Sequence, residues 1–273
     1  MIQTIIDMMS LGFIQRAVLV GTLISLCASL LGVSLVLKRY SMIGDGLSHV
    51  GFGVLSVATA LGYSTPLYIA IPCVTICAIL LLKIENNSKL KSDSAIALIS
   101  STALAIGVAV TSLTTGMNTD VCNFMFGSIL AMNKTDVYIS LIVSVIVTLL
   151  FVIYYRKLFI VTFDEEFAKA SGLNAKRYTN IIAVLTALII VVGMRMMGVM
   201  LISSIIIFPA LTSMRIFKSF KKVVISSGVV SIVSFLIGIY LSYLYNISTG
   251  AMIVIVNFVL FVLFTIIDKI IHE

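Results

Sequence analysis

The sequence predicts an all-α polytopic membrane protein, and three observations carry that expectation. Of the 273 residues, 60% are hydrophobic and only 11% are charged, and the mean hydropathy is +1.21. A water-soluble core of this length cannot hide so much apolar surface. The apolar residues also fall in runs of about 20, the length that crosses a hydrocarbon layer as a helix. Finally, Lys and Arg gather in short clusters between those runs. The formal charge of +7 therefore reads as topological, and without a basic arm or an aromatic-basic surface no nucleic-acid partner is expected.

Taken in order, nine stretches satisfy the length rule: residues 13–37, 42–62, 65–83, 94–115, 136–156, 178–194, 198–214, 223–245 and 250–268. The sixth and seventh are short and joined by a tight turn, so eight spans plus a re-entrant piece is the alternative count. Residues 1–273 read as one transmembrane domain. Asp7, with no Lys or Arg before the first apolar run, argues against a cleavable signal peptide. With the N-terminus outside and the C-terminus in the cytoplasm, only Arg16, Lys134 and Arg195 of the 18 Lys and Arg lie outside. The positive-inside rule favours that orientation.

The second span is the one with chemistry in it. Ser41 to Gly53 places Asp45 and His49 four residues apart in an apolar segment, so on a helix they project from one face, one turn apart. That spacing lets a carboxylate and an imidazole reach the same ion. Counted from Lys38 and Arg39 at the cytoplasmic edge, His49 lies roughly 15 Å deep at about 1.5 Å per residue, near the bilayer middle. Ionisable groups there are costly and default to a substrate, ion or proton pathway rather than to simple helix pairing. Gly44, Gly46, Gly51 and Gly53 with Ser48 allow a neighbouring helix to approach closely.

Other features are less specific. Cys27, Cys73, Cys77 and Cys122 are scattered and form no disulfide framework; Cys73 and Cys77 share a helix face, and ordinary packing is favoured over a soft-metal pair. Pro72 and Pro209 lie within spans and can kink them. Phe124 to Met132, within the external stretch between Thr115 and Asp136, is too short to span and suits a re-entrant or interfacial helix. Met194, Met196, Met197 and Met200 surround the turn between the sixth and seventh spans, where apolar filling is favoured over a copper(I) site.

From Tyr154 to Tyr178 the chain reads as cytoplasmic. Asp164 can cap a short helix, Glu165 and Glu166 suit its positive end, and Gly172 can terminate it. Phe167, Ala170 and Ser171 would share a side able to dock on another protein. The chain has no Gly-x-x-x-x-Gly-Lys-Ser/Thr loop, no zinc-protease or nucleophile-elbow motif, and no extramembranous region large enough for a catalytic domain. An enzyme is not expected, and any ATP must be hydrolysed by another chain.

These residues together resemble the membrane permeases of bacterial ATP-binding cassette importers for zinc, manganese and iron. The likeness rests on Lys38-Arg39 followed by Gly44-Asp45-Gly46-Leu47-Ser48-His49, and on Asp164, Ala168 and Gly172 in an Asp-x-x-x-Ala-x-x-x-Gly segment. It extends to Gly198-Val199-Met200-Leu201 with Pro209-Ala210, and to Gly238, Ser242-Tyr243 and Thr249-Gly250. The chain departs from the family pattern at Asn246 and Ser248, where an aspartate and a proline are common. The resemblance implies a multi-pass protein of the bacterial cytoplasmic membrane that imports a divalent transition metal and holds no permanent cofactor. It implies as partners a second permease copy, two cytoplasmic ATPase subunits and an external metal-binding protein. Asp45 and His49 would contact the metal. Residues 164–173, with Asp164, Glu165, Glu166, Ala168 and Gly172, would form the coupling helix that docks on the ATPase. Alternatives are a permease for a chelated metal such as a siderophore, haem or cobalamin, and a proton-coupled secondary transporter in which Asp45 and His49 relay protons.

Overall fold

In a computed structural model of the chain, residues 10–63, 65–87, 92–114, 125, 127 and 134–272 are described. Among them there are ten helices and no strand. They are α1 (Gly12–Leu37), α2 (Ser41–Ala60), α3 (Leu67–Asn87), α4 (Ser92–Leu113), α5 (Lys134–Phe163), α6 (Glu165–Ala170), α7 (Ala175–Met197), α8 (Val199–Ile216), α9 (Phe220–Tyr245) and α10 (Thr249–His272). A helix stands at each of the nine stretches expected to span. Seven of them are long and apolar enough to cross a membrane. The apolar part of α3, Leu67–Lys83, is shorter, and the polar groups of α2 keep it out of that set, so nine crossings are not reached on length and composition alone. The expected re-entrant stretch, apart from Met125 and Gly127, and Cys122 lie outside the described residues.

Two boundaries differ from expectation for physical reasons. Helix α5 runs on to Phe163 instead of ending near Arg156, because its last turns pack: Tyr155, Phe159 and Phe163 all contact the ring of Phe220 at the start of α9. Much of the stretch expected to be a soluble connection is therefore helix. Helices α7 and α8 are separated by a single residue, Gly198, at φ +88, a backbone region that glycine reaches at little cost. Pro72 and Pro209 sit inside continuous helices.

Helices α1 and α7 form the inside of the bundle; 67% and 72% of their apolar windows are buried, against 17% for α4 and 28% for α5 and α10. In hydrocarbon, helices associate through close approach and interhelical hydrogen bonds, since lipid tails are as apolar as leucine. Helix α1 uses both. Gly32 abuts the backbone carbonyl of Ile206 in α8. On the α9 side, the hydroxyls of Ser231 and Ser227 donate to the carbonyls of Ser25 (2.8 Å) and Ser29 (3.3 Å). Cys27 is buried with its sulfur 3.0 Å from Thr148 Oγ1 of α5, so it is a packing residue. Cys27, Cys73 and Cys77 are all free thiols. At the departure from the family pattern, Asn246 ends α9 in the left-handed conformation (φ +54). The Ser242 hydroxyl bridges the turn to Ile247 O (2.6 Å) and Thr249 Oγ1 (3.0 Å).

A buried ion pair fixes the end of the bundle remote from α6. Arg195, near the end of α7, donates from Nη2 to Asp136 Oδ2 at the start of α5 over 2.7 Å, with side chains 14% and 2% exposed. Met194, beside it, packs its thioether against Gly51 of α2, and Met196 packs against Gly21 of α1, while Met200 is half exposed. Met194 and Met196 thus fill gaps against two different helices, as packing residues do.

Two consequences follow for stability. Gly32→Ala, whose methyl would meet a backbone carbonyl, is expected to destabilise by about 1–3 kcal/mol, whereas Gly44→Ala, whose nearest neighbour is a side-chain methyl at 3.6 Å, is expected to be near neutral; thermal unfolding in detergent reads the difference. Arg195→Met leaves a buried carboxylate without its cation and is expected to cost about 3–5 kcal/mol, much of it recovered in the Asp136→Leu, Arg195→Met double variant. A double variant as unstable as the single would contradict that accounting.

Candidate metal-passage site

The placement of Asp45 and His49 follows from how α2 is packed. The helix lies against α4 at glycine contacts: Gly46 against Ile96, Gly53 against the Ala103 backbone, and Gly107 of α4 against Phe52. Leu47, Phe52 and Leu55 are fully buried. With that side committed, residues 45 and 49 fall on an edge that the chain's own helices cover incompletely. The Asp45 side chain is 43% exposed and the His49 side chain 17%. His49 is eight positions along a 20-residue helix, about 12 Å from its start at 1.5 Å per residue. His49 therefore stands near mid-helix, with Asp45 one turn closer to the start of the helix.

Asp45 Oδ2 and His49 Nε2 are 3.7 Å apart. Two oxygen or nitrogen ligands of one tetrahedral ion, each at about 2.1 Å, stand about 3.4 Å apart. A few tenths of an ångström of side-chain movement would therefore let both reach one divalent cation, so the donor set fits. His49 Nδ1 is buried with no hydrogen-bond partner among the described residues. No group of three or more His, Cys, Asp or Glu able to hold a metal is present among the described residues. Among the described residues the pair is therefore an open set of two potential donors, not a closed site.

Ser203, which the sequence reading passed over, joins the pair from α8. Its hydroxyl lies 3.4 Å from Asp45 Oδ1 and 3.5 Å from the Ser48 hydroxyl. Ser48 in turn donates to the Asp45 carbonyl at 2.7 Å. Of the two hydroxyls only that of Ser203 reaches the Asp45 carboxylate, on its α8 side. Nothing local in the sequence marks Ser203, because a serine in a span is most often a packing residue. Asp136 and Arg195 did carry a signal: opposite charges at the same end of two apolar helices.

At the Asp164–Gly172 segment the expected caps are present. Asp164 accepts from Phe167 N–H at 2.8 Å. Gly172 takes φ +80, and Leu173 N–H closes the helix end on Ala168 O at 2.9 Å, the usual left-handed C-terminal arrangement. Ala168 is fully buried, while Glu166, Phe167, Ala170 and Ser171 are exposed, so α6 keeps an uncovered side. Glu165 turns inward to Lys38 Nζ (3.5 Å) and Lys169 Nζ (3.3 Å). Lys38, only 7% exposed, also donates to Thr179 Oγ1 of α7 at 2.9 Å. Partial burial pushes the Glu165 carboxyl up, but its hydrogen bonds and charge attraction to Lys169 and Lys38 outweigh that and hold it below 4.5. Lys38 is the cap of α1, three residues before α2 begins. The basic residue of the first motif and the acidic residue of the second therefore meet in space, and α6 is tied to the turn that leads into the site helix.

The chain is similar to known transport proteins over nearly its whole length. The chain is 33% identical over 90% of its length to the high-affinity zinc uptake system membrane protein ZnuB of Haemophilus influenzae, 94% of which is covered. It is 30% identical over 92% of its length to the manganese import system permease protein ScaB of Streptococcus parasanguinis, 89% of which is covered. Among solved structures, PsaBC from Streptococcus pneumoniae in complex with Fab superposes with a TM-score of 0.86 at 30% identity, covering 97% of this chain and 95% of the other. Such relatives are transport-system membrane subunits, not catalytic chains. The ABC 3 transport family matches residues 10–268, and the chain belongs to that family.

Proposed function

We propose that this chain is the membrane permease of an ATP-driven importer that passes a divalent transition metal, zinc, manganese or iron, into the cytoplasm. The observation that carries the reading is the two-ligand edge of α2, an oxygen and a nitrogen 3.7 Å apart on a face its own helices leave partly uncovered. A carboxylate and an imidazole suit these metals, and the names of relatives specify zinc and manganese. Two copies related by a two-fold axis bring two such edges together. Asp45 and His49 of each copy then make four ligands, while neither copy alone binds tightly enough to trap the ion. The Ser203 hydroxyl orients Asp45, and release toward the cytoplasm follows when the two edges separate.

Movement is supplied from outside the chain. In this reading nine spans place the N-terminus outside and the C-terminus in the cytoplasm of a bacterium, in its cytoplasmic membrane. An external metal-binding protein delivers the ion. Each permease copy receives one ATPase subunit on residues 164–173, where Glu166 and Phe167 face the partner and Ala168 anchors α6 to the bundle. The Lys38–Glu165 contact passes displacement of α6 to the start of α2. Membership of an ATP-binding cassette family favours this scheme over a proton-coupled carrier, and an ionic ligand pair in the path favours a bare ion over a chelate.

Asp45→Ala and His49→Ala are each expected to lower uptake of radioactive zinc or manganese by at least about tenfold, since even residues that only support a metal ligand cost 10–100-fold when lost. Folding and ATPase association should be unchanged; wild-type uptake by both variants would overturn the assignment. For the docking segment, Glu166→Lys with Phe167→Ala is expected to reduce recovery of the ATPase subunit in pull-down, and undiminished recovery would count against α6. A depressed carboxylate stabilises above its unfolded value of 4.5 and loses that contribution as pH falls through the lower folded value. The Lys38–Glu165 tie is therefore expected to persist throughout neutral and mildly acidic pH, and hydrogen exchange in α6 should rise only below 4.5.

A further inference from the structure

Away from α2 the bundle carries a second site-like feature, an open cleft of about 640 Å³ between α5 and α7. Its mouth, at the α6 end, is polar: Asn174, Lys176, Arg177 and Asn180 from α7 and Tyr154 from α5. Its walls are aliphatic: Leu150, Ile181, Val184 and Leu185. From Lys176 to Leu185 the α7 wall is about 13 Å long at 1.5 Å per residue, close to the depth of one leaflet, half of a hydrocarbon core about 30 Å thick.

The charges at the mouth are uncompensated from within. Among the described residues no carboxylate lines the cleft, and neither Lys176 nor Arg177 forms an ion pair. Of the three acids at α6, Glu165 is held by Lys38 and Lys169, Asp164 caps the helix and Glu166 is exposed; none is among the residues lining the cleft. A third cation stands close by, because Lys157 Nζ lies 5.6 Å over the ring of Tyr178, and Tyr178 packs edge-on against Tyr154 of the cleft. Helix α5 is mostly uncovered by the rest of the chain, so its side of the cleft opens outward. A ligand matching this surface has an anionic head and an aliphatic body about one leaflet long.

We propose that the α5–α7 cleft binds an anionic phospholipid of the leaflet on the α6 side, with its phosphate at Lys176 and Arg177 and an acyl chain along Ile181, Val184 and Leu185. Basic residues at this level attract anionic headgroups, and Tyr154 occupies the interfacial depth that tyrosines favour. The bound lipid would brace the start of α7, to which Lys38 is also tied through Thr179. This inference stands apart from the metal assignment and survives or fails without it.

The test uses the full-length chain in detergent, incubated with phosphatidylglycerol or phosphatidylcholine, with retained lipid counted by native mass spectrometry. Wild type is expected to prefer phosphatidylglycerol by on the order of tenfold, the scale that two basic contacts near an anionic headgroup produce. Lys176→Glu with Arg177→Glu should abolish the preference, while Lys221→Glu with Lys222→Glu, an equally basic pair at the start of α9, should keep it. If charge reversal prevents folding, Lys176→Gln with Arg177→Gln gives the same reading. Val184→Trp, which fills the aliphatic wall without touching a charge, should lower phosphatidylglycerol retention. Equal retention of the two lipids by wild type, a preference that survives the α7 variants, or displacement by inorganic phosphate as effective as by intact lipid would each overturn the proposal. So would α7 variants that lose the ATPase subunit while retaining lipid normally, because the mouth would then be a protein contact.

Discussion

Helix α2 has to satisfy two demands at once: it must sit deep in an apolar bundle and it must carry a carboxylate and an imidazole in its first half. The glycine contacts with α4 reconcile them. By letting α2 approach α4 at Gly46, Gly53 and Gly107, they seat one side of the helix firmly without needing the edge that bears Asp45 and His49. That edge is left for Ser203, for ions, or for another molecule. A bulkier α2 would have to rotate or withdraw, and either movement would bury the pair uselessly or expose it to lipid, where an unpaired charge is costly. The rest of the bundle serves the same end. Met194 packs on Gly51, and the neighbouring Arg195–Asp136 pair holds the far end of α7.

At the opposite end a short helix is tied to the turn that leads into α2. A six-residue helix cannot be stable alone, and α6 persists because Asp164 caps it, Ala168 is buried and Gly172 closes it. Its link to the site helix is a single buried cation, Lys38, which bonds to Glu165 of α6 and Thr179 of α7. Lys38 therefore joins α6, the α1–α2 turn and the start of α7. Arg39, at φ +62, makes that turn tight enough to keep Lys38 and the first turn of α2 close to each other.

Much of this was legible in the residues. Apolar run length located the helices, because the bilayer imposes a length that any spanning helix must meet. The i, i+4 spacing of Asp45 and His49 put both on one face, because helical geometry is local. The Asp164–Gly172 segment was readable as a capped helix for the same reason. What the sequence left hidden was everything that depends on three-dimensional pairing. Ser203 is 158 positions from Asp45, and the meeting of Lys38 with Glu165 spans 127. Helix α5 overran its expected end because an aromatic cluster with Phe220, far along the chain, rewards extra turns that hydropathy does not register. Helix α2 shows the converse: Asp45 and His49, which mark it as the candidate site, are the residues that lower its hydropathy.

The central claim is that two chains share one metal site built from Asp45 and His49. Its most direct test is the number of ions bound per chain, measured with radioactive manganese or zinc on the purified, dimeric full-length protein in lipid discs. The account predicts one ion for every two chains, with loss of that ion when His49 is replaced in both. One ion per chain, or binding that persists after the replacement, would contradict it.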